Sequence, residues 1–221
     1  ARRARMISMD DIRDDGLRRE EPHEFSSEES FIRMLKTYDR RFKLHRQQNQ
    51  PKQIMVWCEA GGMLPQLASY CEDYGVTVLS SGGFDSVTTK HNFAKEVHEA
   101  DSLVEILHIG DHDPSGVHMH SSLEEDLNAF LDDWGDYMEV TRLAVTPDQI
   151  EEMNLPQSPA KKTDNRSFEG LTTQAEAIPP RILKEIVQDA IWDRMDPDTY
   201  DETLAEEEAI RASLKTRLAR L

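Results

Sequence analysis

The sequence predicts an α/β fold: a mostly parallel sheet flanked by helices, with helical extensions at both termini. Two observations carry this. The runs Ile54-Met55-Val56-Trp57-Cys58, Val76-Thr77-Val78-Leu79, Val104-Glu105-Ile106-Leu107-His108-Ile109 and Val140-Thr141-Arg142-Leu143-Ala144-Val145-Thr146 are short and strand-sized. They are largely apolar without strict alternation, as strands buried on both faces are. Helical patterns separate the first three, and parallel strands need crossovers of about that length. With 221 residues there is room for one domain with a sizeable core plus extensions. The expected organisation is a helical extension over 1–50, an α/β core over 51–146, and an irregular segment with C-terminal helices over 147–221 that completes the domain.

Taken in order, Ser26-x-x-Glu29 reads as a capping box. Phe31, Leu35, Tyr38 and Phe42 then recur at helical spacing, which predicts an amphipathic helix over 27–46. Tyr38 sits on its apolar face and is expected in the core. The first strand ends on Glu59-Ala60-Gly61-Gly62, before a helix over 63–73. The second is followed by the glycine-rich turn Ser80-Ser81-Gly82-Gly83-Phe84-Asp85-Ser86 and a helix to about residue 98. Residues 146–180 are the least regular stretch. A helix opens at Pro180, with Ile182, Ile186, Ala190 and Ile191 facing inward, and a last helix over 201–221 carries the stripe Ile210, Leu214, Leu218, Leu221.

The third strand runs into Gly110-Asp111-His112-Asp113-Pro114-Ser115-Gly116. Two carboxylates one residue apart at a strand end suit Mg²⁺ or Mn²⁺, a hard cation that takes one or two carboxylates, keeps several waters and borrows substrate phosphates. Asp, Gly and Pro also make ordinary turns. Gly110 and Gly116 allow a tight turn, and Pro114 suits the first position of a helix. In open α/β sheets the carboxyl ends of the strands form the ligand crevice, so Glu59, the Gly82-Gly83 turn, Asp111 and Asp113 are expected to converge there.

A strand ending in Glu, a helix, a strand with a glycine-rich turn, a helix, and a strand ending in Asp-x-Asp resembles the Toprim domain shared by topoisomerases, primases and certain nucleases. The GDHDPSG run, Val140 to Thr146, Asn154-Leu155-Pro156, the stretch from Pro159 through Arg166 and Gln174-Ala175-Glu176-Ala177-Ile178-Pro179-Pro180 most resemble the A subunit of type IIB topoisomerases and their small bacterial or phage relatives. The resemblance covers roughly residues 54–192. It implies that Glu59 is a general acid/base or metal ligand, that Asp111 and Asp113 bind Mg²⁺, and that Glu176 is a fourth acid at the metal. It also implies a homodimer. The chain departs from those topoisomerases at its N terminus, where no stretch is long enough for a winged-helix domain bearing the nucleophilic tyrosine, and Tyr38 is not expected to replace it. The opening Ala1-Arg2-Arg3-Ala4-Arg5 suggests an upstream domain beyond this chain.

Net charge is −17, and residues 1–50 carry 12 Lys+Arg against 10 Asp+Glu while 51–160 carry 4 against 20. An acidic core excludes a simple basic clamp for DNA, because phosphate neutralisation normally supplies most of the affinity. Most of the acids between 124 and 136 read as solvated helix faces. Arg142, Lys161, Lys162 and Arg166 could reach a phosphate or pair with Asp164 and Glu169. His108, His112, His118 and His120 crowd the acidic motif, but period-two alternation argues against their meeting at one point. Cys58 and Cys71 lack metal-ligand spacing and read as reduced thiols, and with no signal peptide or membrane-spanning run visible, a cytoplasmic location is expected. Two functions remain open. One is metal-dependent phosphodiester chemistry on nucleic acid, DNA more than RNA, as a nuclease or a topoisomerase-like cleaving domain; the other is a non-catalytic acidic module for interaction or dimerisation.

Overall fold

Strands β1 (Gln53–Cys58), β2 (Thr77–Ser80), β3 (Val104–Ile109) and β4 (Glu139–Ala144) form a sheet of 4 parallel strands in the order β2-β1-β3-β4. The computed structural model describes residues 22, 24–80, 86–100, 103–160, 168 and 170–221. These fall into two units: Lys43–Ile210, and the described residues up to Phe42 together with Arg211–Leu221.

Both faces of the sheet are covered, which explains the apolar strands. Ile54, Val56, Cys58, Leu107 and Ile109 share a core with Leu67 and Cys71 of α2 (Leu64–Cys71) and with Leu183, Val187 and Ile191 of α6 (Pro180–Trp192). Trp57, Ile106 and Val140 pack on the other face against Ala94 and Val97 of α3 (Val87–Glu99) and Leu123, Leu127 and Leu131 of α4 (Pro114–Asp132). Each fully buried Val, Leu or Ile among them, removed from water, stabilises the fold by roughly 1.5–3 kcal/mol. Burial of Cys71 pushes its thiol up to about 12, so it is inert at neutral pH.

The order has a consequence for ligands. The chain leaves β1 toward β2 through α2 on one face and leaves β3 toward β4 through α4 on the other, so a crevice opens at the carboxyl ends of β1 and β3, where the winding reverses. Beyond β4 come the short helix α5 (Pro147–Glu152) and an antiparallel pairing of two-residue strands, β5 (Ser158–Pro159) with β6 (Leu171–Thr172). Thr146 and Gln149 form a capping box at the start of α5.

Buried polar anchors fix the ends of the larger unit. The Gln47 amide accepts from Ile54 N at 2.6 Å and donates to the Ile54 and Gly75 carbonyls, each at 3.1 Å. Arg46 makes a buried two-pronged ion pair with Glu207, which also accepts from Leu44 N at 2.7 Å. Both features lie outside the strand pattern that sequence periodicity detects.

Several expectations about the flanks are corrected. The N-terminal helix, α1 (Glu28–Lys36), is nine residues long and is capped by Ser27 with Ser30 rather than Ser26 with Glu29. The Thr37 hydroxyl bonds the Met34 carbonyl at 2.9 Å, and a 3-10 turn over Tyr38–Arg41 follows. This change of pitch takes Tyr38 off the helical stripe; it is 48% exposed beneath the Arg41 guanidinium and not in a core. On α6 Ala190 and Ile191 are buried as expected, but the other buried positions are Leu183 and Val187, with Ile182 and Ile186 at the margin. In α7 (Pro197–Leu218) the buried positions are Thr203 and Glu207 rather than the leucine stripe, because the ion pair to Arg46 holds that face inward. No helix among the described residues is long and apolar enough to cross a membrane.

Candidate functional site

Adjacent parallel strands bring the acids together. Cys58 stands opposite Ile109 in register, so the residues that follow them emerge side by side, and Glu59 N donates to the Ile109 carbonyl at 3.0 Å. The Glu59 carboxylate then turns over the next loop, accepting from Asp111 N through Oε2 at 3.3 Å. Two glycines make room for it. A Cβ on Gly110 would lie 2.9 Å from Glu59 Oε2, and one on Gly116 would lie 3.0 Å from the same oxygen while colliding with the Asp111 carbonyl.

Asp113 is the N-cap of α4, its Oδ1 accepting from Gly116 N at 2.7 Å, and Pro114 takes the first helical position. Asp111 Oδ1 accepts from Ala175 N at 2.8 Å. That bond belongs to a second contact: His112 and Thr173 exchange backbone hydrogen bonds at 2.8 and 3.0 Å, so the segment following β6 is stitched to the acidic loop. Glu176, the residue after Ala175, stays exposed, and its charge acts on Asp111. Each of Glu59, Asp111 and Asp113 thus spends one oxygen on a backbone N–H, and the other has no protein hydrogen-bond partner among the described residues.

The electrostatics follow from burial and crowding. Burial, and next the Asp111 charge, push Glu59 above the usual carboxylate range. Asp111 is raised by burial first, with the Ala175 N–H opposing and the charges of Glu176 and Asp113 adding to the rise. Arg142, on β4, is the nearby cation, but its guanidinium is aimed at backbone. Nη2 donates to the Gly110 and Asp111 carbonyls at 2.7 and 2.6 Å, and Nη1 donates to the Gly116 carbonyl at 3.1 Å and faces His108 Nδ1 at 3.2 Å. It pins the loop's main chain from below. Among the described residues no Lys or Arg forms a salt bridge with Glu59, Asp111, Asp113 or Glu176.

The histidines behave differently from the alternation argument. His108 points to the face covered by α4, where its ring lies 5.2 Å from that of His120. Burial and the Arg142 charge take His108 down to about 3, so it is a neutral acceptor for Arg142. His112 is held below its ordinary value by burial and its ring packs edge-on against Phe168 at 5.3 Å. Lys161, Lys162, Arg166 and the Gly82-Gly83 turn lie outside the described residues. What sequence reading missed is the return of residues 173–175 to the acidic loop and the role of Arg142 as a main-chain clamp. Compared with known proteins, the chain matches no family model and no curated protein.

Proposed function

We propose that this chain is a Toprim-like domain that binds Mg²⁺ or Mn²⁺ and performs phosphodiester chemistry on nucleic acid, as a nuclease or as the metal-binding part of a DNA-cleaving, topoisomerase-like protein. One observation supports this above the others: Glu59, Asp111, Asp113 and Glu176 gather at the crevice of a parallel sheet with no side-chain cation paired to them among the described residues. Among those residues no three His, Cys, Asp or Glu side chains form a ready-made metal cage. An open set of carboxylates suits a cation that fills its coordination with water and substrate oxygen.

Asp111 and Asp113 would hold the ion through the oxygens not used by Ala175 N and Gly116 N, with Glu176 as a further donor. The chemistry that such an ion would supply, when bound, is polarisation of the scissile phosphate and an offset to the charge that develops on it. Glu59, held above the usual carboxylate range and with its Oε2 committed to Asp111 N, would act through Oε1 as the general acid that protonates the leaving oxygen. Arg142 contributes by holding the loop rather than by touching phosphate. The acidic surroundings weaken intrinsic affinity for a polyanion.

Manganese calorimetry with the wild type and an Asp111→Asn/Asp113→Asn variant tests the metal: binding is lost in the variant, and equal affinity in both removes the site. A plasmid-nicking assay in Mn²⁺ at low ionic strength tests the chemistry. Glu59→Gln should lower the rate on the order of 10² to 10⁴. A protein that binds Mn²⁺ and cleaves neither DNA nor RNA is instead an acidic interaction module. A homodimer belongs to the same reading, supported by the exposed, edge-packed Phe25 and Phe31 of the smaller unit. Light scattering at high concentration should give twice the 25.4 kDa chain mass.

A further inference from the structure

The cavity beside the acidic loop has a chemistry of its own. It measures about 420 Å³, within the range of small-molecule sites, and His112, Ile150, Glu151, Asn154, Gln157 and Leu171 line it. From these residues we infer that it is a nucleobase subsite next to the carboxylates. The inference rests on the nucleic-acid reading above for the identity of the chain to which the base is attached.

Charge decides first. Among the described residues no Lys or Arg lines the cavity and Glu151 does, so there phosphate or another anion is disfavoured and an uncharged ligand is favoured. Hydrogen bonding decides next. The side-chain amides of Asn154 and Gln157 each offer donors and an acceptor, and neither has a hydrogen-bond partner among the described residues. Such amides match the donor and acceptor edge of a base. Ile150, Leu171 and the His112 ring supply the apolar part of a lining that is otherwise polar, and an unstacked base can rest against it.

Position completes the case. His112 lies between Asp111 and Asp113, so a base in this cavity would belong to a nucleotide flanking the phosphate at the carboxylates. The wall is fixed in place: the His112 backbone is bonded twice to Thr173, and its ring rests against Phe168. Asn154 has φ 48, a left-handed conformation that Asn tolerates. A turn requirement accounts for that backbone but not for a side chain lining the cavity.

Nucleosides without phosphate or metal test the subsite directly. Adenosine and cytidine, titrated into the full chain, should shift the NMR signals of the Ile150 and Leu171 methyls and the His112 ring, with Kd on the order of 1 mM. Ribose 5-phosphate and inorganic phosphate should leave these signals unmoved. An Asn154→Gly/Gln157→Ala variant, in which glycine keeps the left-handed backbone, should bind about tenfold more weakly through loss of side-chain hydrogen bonds. Its manganese affinity should be unchanged. The subsite is overturned by absence of any nucleoside shift at ten times that concentration, by equal shifts with ribose 5-phosphate, or by wild-type affinity in a folded double variant. Nucleoside binding by a protein that binds no Mn²⁺ upholds the subsite and removes the metal reading; Mn²⁺ binding with no nucleoside binding does the reverse.

Discussion

Strand β3 has an acid near each end, one buried and one half-buried, and the surroundings treat the two in opposite ways. Glu105, 1% exposed, is ion-paired to Lys52 and to Arg194, whose Nε lies 2.5 Å away, and Thr141 adds a hydroxyl at 3.3 Å. Burial pushes its carboxyl up, but the Arg194 and Lys52 bonds outweigh that and leave it below the usual range. Asp111, just past the other end, is supported by one backbone N–H and surrounded by other carboxylates, and it is raised. An acid matched by cations acts as a clamp. An acid left unmatched retains its capacity for an incoming cation, at a cost in stability that the remainder of the fold must offset.

The largest expected effect is at the clamp. Glu105→Ala leaves Lys52 and Arg194 without their partner and should destabilise the protein by about 3 kcal/mol in urea unfolding at pH 7, the lower end for a broken buried pair because both cations are partly exposed. The pH dependence has a definite sign. With a folded pKa below the unfolded one, the Glu105 contribution is present above the unfolded value of about 4.3 and is lost as pH falls through the folded one. The gap between wild type and variant should therefore narrow in acid. An unchanged gap at pH 3 would show that packing, not the ion cluster, is responsible.

Next in size is the loop that brings the acids together. Gly116→Ala should cost roughly 1–3 kcal/mol, since its Cβ would meet the Asp111 carbonyl and the Glu59 carboxylate, and it should also abolish manganese binding. Ordinary helical positions respond with the opposite sign, gaining from Gly to Ala. A stabilised variant in thermal unfolding would mean that the close approach is absent.

At the unmatched end the expected change is smaller and of reversed sign. Without added metal, Asp111→Asn keeps an oxygen for Ala175 N, removes one crowded charge, and should raise stability by about 0.5–1 kcal/mol at pH 7. Because the folded pKa is raised, the wild type loses stability as pH rises through it, so the advantage of the variant should open with rising pH. Loss of stability in Asp111→Asn comparable to that in Glu105→Ala would erase the contrast between the two ends. The smallest effect is at Tyr38, whose exposed ring makes Tyr38→Phe neutral within about 0.5 kcal/mol and without consequence for nicking.

The sequence alone determined the strands and the loops that carry the acids. Ile54 to Cys58 is apolar without interruption and Val104 to Ile109 is apolar apart from Glu105 and His108 because both of their faces are covered, and such runs are visible without knowing what covers them. Gly110, Pro114 and Gly116 likewise announce a turn into a helix through local backbone preferences alone. Tertiary structure decided what each polar side chain meets. Alternation along β3 could place His108 on a face, but only the packing of α4 on that face brought His120 within 5.2 Å. Arg142 was legible as a cation near the site, yet its partners are main-chain carbonyls that carry no sequence signature. The same holds for Thr173 and Ala175, whose backbone groups bind the acidic loop across more than sixty residues of chain. Periodicity and turn chemistry are written in neighbouring residues; hydrogen bonds between distant backbone segments depend on the path of the chain between them, and that path is fixed only when both faces of the sheet have closed.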